Sequence, residues 1–92
     1  MSRIARLVLD VLKPREPEIQ ELASRLVSLT GMDSVSISVA EIDQSTESVK
    51  VSAEGVDINI DAVRKTLEEL GAVIHSVDEV TVKKSEKTRV HT

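Results

Sequence analysis

The spacing of apolar residues along this chain changes period in one order, twice over: two, then near 3.6, then two again. That repeat constrains the fold more than any other feature. From Ile4 to Leu12 the residues alternate, with Ala5, Leu7, Leu9 and Val11 on one face and Arg6, Val8, Asp10 and Leu12 on the other, the pattern of a half-buried strand. Ile19, Leu22, Ala23, Leu26 and Leu29 then recur at helical spacing, with Glu18 and Glu21 near the positive end of the helix dipole and Gly31 as a stop. Val35, Ile37 and Val39 alternate with Ser34, Ser36, Ser38 and Ala40, and after the polar turn "DQSTE" Val49, Val51 and Ala53 alternate with Lys50, Ser52 and Glu54. These two strands form a hairpin. A second helix carries Ile60, Val63, Leu67 and Leu70 on one stripe, between Asn59 as N-cap and Gly71 as stop. The segment "AVIHSVDEVTVKK" is the last strand, and its apolar residues change phase between Val77 and Val80, which predicts a bulge or a late start.

The order βαββαβ predicts an α+β chain of ferredoxin-like topology, with a four-stranded antiparallel sheet in the order 4-1-3-2 and both helices on one face. Residues 1–84 make one domain, and residues 85–92, "SEKTRVHT", a polar tail. Topology alone assigns no function. The stretch "LDVLKPREP", Leu9 to Pro17, is read as a corner between strand and helix. Pro14 holds Lys13 extended, and Pro17 suits the first helical position. Lys13 and Arg15 could receive an anion there, but Glu16 and Glu18 compete.

Composition excludes several chemistries. There is no cysteine, which removes disulfides, thiolate catalysis and soft-metal sites. There is no Phe, Trp or Tyr, so the stacking platforms of sheet-based single-strand binders are missing and the core must be Val, Leu, Ile and Ala. Twelve basic against sixteen acidic residues give a formal charge of -4, which disfavours nucleic acid as a partner. The basic stretch "KKSEKTR", with Lys83, Lys84, Lys87 and Arg89, is the one feature in its favour. No apolar stretch approaches the roughly 20 residues of a membrane span, and "MSRIARLVLDVLK" has no cleavage site of small residues. A cytoplasmic protein without membrane attachment is expected. One Asn and two Gln among many charged residues also suit a heat-adapted protein.

The predicted topology brings the ends of the first two strands to the starts of the other two. At that edge it gathers Asp10, Glu41, Asp43, Glu47 and His75, with Asp78 further along the last strand. Carboxylates suit calcium, magnesium or manganese, and a neutral imidazole can join a transition metal. The candidate metal ligands are therefore Asp10, Glu41, Asp43, His75 and Asp78. The same residues would also make an ordinary solvated rim, because no spacing such as an EF-hand loop or HExxH is present. His75 has no Ser, Cys or second histidine placed to form a nucleophile pair, and His91 lies in the tail. No catalytic residue and no organic cofactor is assigned. The face opposite the helices is expected to carry Val8, Leu12, Ala40 and Ile42 among small serines rather than a dense charge array. Such a face, on a chain of 92 residues with a small core, predicts assembly with a partner.

"VLDVLKPREP", "SVSISVAEID" and "GAVIHSVDEV" together resemble a small archaeal family of uncharacterised proteins, domain of unknown function 211. The resemblance reaches to about Lys83 and rests on three ordered segments: Leu9 to Pro17, Glu41 to Asp43, and Ile74 to Val80. It implies a ferredoxin-like fold assembled into ring-shaped homo-oligomers, and places the family's acidic positions on Asp10, Glu41, Asp43, Asp78 and Glu79. Two functional expectations follow from these readings. One is a non-enzymatic homo-oligomeric module that binds a divalent cation or small ligand at its acidic edge or between subunits. The other is a metal-dependent enzyme using Asp10, Asp43 and His75, which would need a pocket that a two-layer domain of this size rarely encloses.

Overall fold

Each alternating or helical segment closes into the element its spacing predicts. The computed structural model describes residues 2–84, in the order β1 (Ser2–Pro14), α1 (Ile19–Val27), β2 (Met32–Ile42), β3 (Thr46–Gly55), α2 (Ile60–Glu69) and β4 (Val73–Lys84). The expected polar tail, with His91 and most of its basic stretch, lies outside the described residues. The strands form one antiparallel sheet in the order β2-β3-β1-β4, the predicted 4-1-3-2 read from the other edge. The fold is ferredoxin-like.

Leu7, Leu9 and Val11 pair with Ala53, Val51 and Val49 across β1 and β3. Together they floor a core closed by Leu22 and Leu26 of α1 and by Val63 and Leu67 of α2. Asn59 caps α2, its side-chain oxygen accepting from the N–H groups of Asp61 and Ala62 at 3.0 and 3.1 Å. Gly71 follows α2 with φ of 82°, a conformation that side-chain-bearing residues resist.

The first helix starts later and ends earlier than predicted, Leu29 lying beyond its last residue, Val27. Pro17 lies before it, Glu18 is extended, and the Glu18 carbonyl receives the first helical N–H groups, from Glu21 at 3.0 Å and Leu22 at 3.2 Å. β1 in turn runs on through Lys13 and Pro14, which were expected to belong to the connection.

The phase change in the last strand is a pair of bulges. Against β1, His75 and Asp78 are the extra residues of β4, and each inserts one position into the alternation. Ile74, Val77, Val80 and Val82 therefore all stand on the helix side, opposite Val11, Leu9, Leu7 and Ile4, the last because Ala5 is an extra residue of β1 and leaves its predicted place in the Leu7 row to Ile4. A bulge at Ala40 of β2 acts likewise and pairs Ile42 with Glu47. Glu47 in turn faces Lys13 on the helix side. Ile42 is thus not on the open face, contrary to expectation.

That open face is also more charged than expected. Arg6 bridges Glu54 at 2.7 Å and Glu79 at 3.0 Å, and Val8, opposite Glu79 on this face, is 8% exposed. Leu12, 39% exposed, and Val73 opposite it, 54% exposed, keep an apolar patch on that face, and a second row of exposed apolar surface lies on the helix side of the edge strand β4, where Val77, Val80 and Val82 are 44%, 45% and 55% exposed.

Candidate functional site

The acidic edge forms only in part. Asp10 of β1, Glu41 of β2 and the bulged His75 of β4 border one depression of about 310 Å³, with Val11, Leu12 and Ser48. They are spread across the sheet, because β2 and β4 are separated by β3 and β1. At about 4.8 Å between neighbouring strands, Glu41 and His75 stand on backbones about 14 Å apart. Ligands of one bare cation must each come within about 2.6 Å of it. Among the described residues, no group of three or more His, Asp or Glu side chains could hold a metal ion.

Asp43 and Asp78 are not drawn in. Asp43 belongs to the turn after β2, where its N–H donates to the Thr46 carbonyl at 2.8 Å. Asp78 accepts from Lys50 Nζ at 2.6 Å and from Ser76 Oγ at 2.8 Å. The Lys50 hydrogen bond, and then that of Ser76, hold the Asp78 carboxyl below its ordinary range, while Asp78 raises Lys50. The charge of Asp10 also raises Lys50, which sits directly opposite Asp10 in the β1–β3 register. The positive charge expected from a bound cation is thus supplied in part by the chain itself. Lys50 stands between buried Val49 and Val51, so strand alternation already placed it on the open face; its pairing across to Asp78 was invisible until β4 had a register.

The "KPREP" corner is a structural knot. Lys13 is 1% exposed, and its ammonium donates to Glu47 Oε1 at 3.0 Å, the Pro14 carbonyl at 2.7 Å and the Arg15 carbonyl at 3.2 Å. An ammonium has three donors, so none is left for an outside anion. Arg15 donates to the carbonyls of Asp43 and Gln44 at 3.3 and 3.2 Å. The corner therefore ties the β1–α1 connection to the β2–β3 hairpin. Glu47, gathered at the acidic edge by sequence reasoning, faces inward to Lys13 instead. The signal was present, since Lys13 continues the odd-numbered buried series Leu7, Leu9, Val11 once β1 extends past Leu12.

Among the described residues no helix is long and apolar enough to cross a membrane. Residues 5–91 match the family DUF211, described as "Uncharacterized ArCR". The chain is also similar to "Uncharacterized protein MJ0319" of Methanocaldococcus jannaschii, being 49% identical over 84 residues that cover 91% of this chain and 87% of that protein. On the strength of both matches, with the ferredoxin-like fold beneath them, the chain belongs to the DUF211 family.

Proposed function

We propose that the chain is a non-enzymatic module that works as a ring-shaped homo-oligomer in a regulatory or structural role. The observation that carries this reading is the edge strand β4, whose Val77, Val80 and Val82 line one side with little cover. A long apolar edge is an aggregation hazard unless something pairs with it. Where the two different edges of such a sheet meet, the contact is head to tail, and head-to-tail contacts close into rings when the rotation permits. Light scattering of the purified protein at micromolar concentration tests the reading. A mass larger than a dimer is expected, and a monomer would remove the proposal.

A second reading, a divalent cation or small ligand at the acidic face, is favoured by the depression that Asp10, Glu41 and His75 share. Given their separation, a cation would be held through its water shell. Binding to the folded state alone stabilises by about 2.7 kcal/mol at a hundredfold excess over Kd. In a domain of this size that raises the melting temperature by roughly 10 °C or more. Millimolar calcium, magnesium or manganese should produce that shift where monovalent salt of equal ionic strength does not. Asp10→Asn with Glu41→Gln should abolish it. Equal responses from wild type and double variant would mean that the face is only a solvated rim.

A further inference from the structure

The two edge strands are made to fit one another. β1 runs antiparallel to β3 and β4, and β3 antiparallel to β2, so β2 and β4 point in opposite directions at opposite edges. Placed side by side with the helices of both copies on one face, β4 of one copy and β2 of the next are antiparallel, like every other pair in the sheet. The bulges at His75 and Asp78 leave Glu79–Lys84 of β4 with no extra residue of its own, the register shift beside Thr81 and Val82 falling on Ala5 of β1, and those at Asp33 and Ala40 leave Ser34–Val39 of β2 regular. These stretches are equal in length and lie toward the same end of the sheet.

Side-chain alternation then restricts the register, because a slip of one residue sends every apolar group to the wrong face. Val80 and Val82 stand on the helix side of β4, and Val35 and Ile37 on the helix side of β2, opposite Ala53 and Val51. Val80 opposite Ile37 puts Val82 opposite Val35 and brings Lys84 to Asp33. On the open face Thr81 and Lys83 then meet the small residues Ser36 and Ser34. The charges agree with this arrangement. β2 carries Asp33 and Glu41 and no basic residue. The acidic residues of β4, Asp78 and Glu79, are already paired with Lys50 and Arg6, which leaves Lys83 and Lys84 as its outward charge. A β2–β2 contact would instead set Asp33 against Glu41 with no cation between them.

We infer that β4 of one copy pairs antiparallel with β2 of a second copy of this chain, Val80 opposite Ile37 and Val82 opposite Val35. The inference rests on the oligomeric reading above and names the surfaces that carry it. The chain has no cysteine, so single cysteines report the contact directly. Val35→Cys and Val82→Cys chains, one bearing a mass tag, are co-expressed, purified and mildly oxidised, and their masses are measured by light scattering before oxidation. Cross-linked pairs are expected to be mixed, Val35→Cys to Val82→Cys, in several-fold excess over either same-variant pair. The doubly substituted chain should give a ladder of covalent multimers. Same-variant pairs in the majority, or no cross-link from samples that still scatter as an assembly, would overturn the edge pairing and leave the oligomer standing. Monomeric samples would overturn both. Because Val82 is exposed in the single chain, its substitution leaves the core intact, and an unchanged far-ultraviolet dichroism spectrum verifies this.

Discussion

Removing the carboxylate of Glu47 should cost this protein more than removing the lysine it pairs with. The Lys13 side chain is fully buried and that of Glu47 is 17% exposed. Glu47→Ala leaves a buried ammonium facing only the Pro14 and Arg15 carbonyls, at 2.7 and 3.2 Å. Breaking one side of a buried ion pair typically costs about 3–5 kcal/mol. Two of three acceptors remain and Glu47 is not wholly dry, which places this case near the lower bound, about 3 kcal/mol. In a domain of this size that lowers the melting temperature by roughly 12 °C or more. Lys13→Met removes the charge together with its desolvation cost, and Glu47 can turn to water. The Pro14 and Arg15 carbonyls it leaves belong to half-buried and exposed residues, so each loss is nearer the net worth of an ordinary hydrogen bond, about 0.5–1.5 kcal/mol. The double variant should be no less stable than Glu47→Ala alone, a strong departure from additivity. Urea unfolding followed by far-ultraviolet circular dichroism at one fixed protein concentration measures all three variants; intrinsic fluorescence is no help in a chain without Phe, Trp or Tyr. A cost below about 1 kcal/mol for Glu47→Ala, or additive single effects, would refute the buried-pair argument.

Leu9→Ala, which empties a site 1% exposed in the core, should destabilise by about 2–5 kcal/mol in the same assay; less than about 1 kcal/mol would contradict the face assignment of β1. Gly55→Ala should also destabilise, because a Cβ there would run into the Gly31 carbonyl oxygen, which already accepts from Val56 N–H at 2.9 Å; an unchanged melting temperature would mean that this crossing of backbones relaxes freely. Asp78 is held below its ordinary pKa by Lys50 first and Ser76 second, so its contribution is present above the unfolded-state value near 3.8 and is lost as pH falls through the lower folded value. The pair is exposed, so its effect is small and screened by salt. Lys50→Met should raise the Asp78 midpoint in a carboxylate titration by nuclear magnetic resonance, and an unmoved midpoint would reject Lys50 as the cause.

The fold was legible because its signals are local. The change of period from Leu9 to Leu22 to Ile37, repeated at Val51, Val63 and Ile74, fixes element type, and right-handed crossovers leave few topologies to choose from. Asn59 and Gly71 mark the bounds of α2 by their own conformational chemistry. The candidate site was less legible because it depends on register. Asp10, Glu41 and His75 border one depression, but the width of the sheet keeps them apart, and no sequence spacing reports that width. Asp78 was assigned to the acidic edge while its partner Lys50 was passed over, since only the bulges at His75 and Asp78 decide which residues meet across β1. Ile42 moved to the other face through one extra residue at Ala40. With Ile42 gone from the open face, only Leu12 and Val73 keep exposed apolar surface there, and the row on β4 becomes the place where the proposed partner would bind.

The mass of the intact assembly tests the account most directly. Light scattering at micromolar concentration should report a species larger than a dimer for the wild type. Val80→Lys, which puts a charge on the exposed helix-side row of β4, should shift it toward monomer with the far-ultraviolet spectrum unchanged. A monomeric wild type, or an assembly indifferent to that charge, would contradict the claim that the edge strands of this fold exist to meet one another.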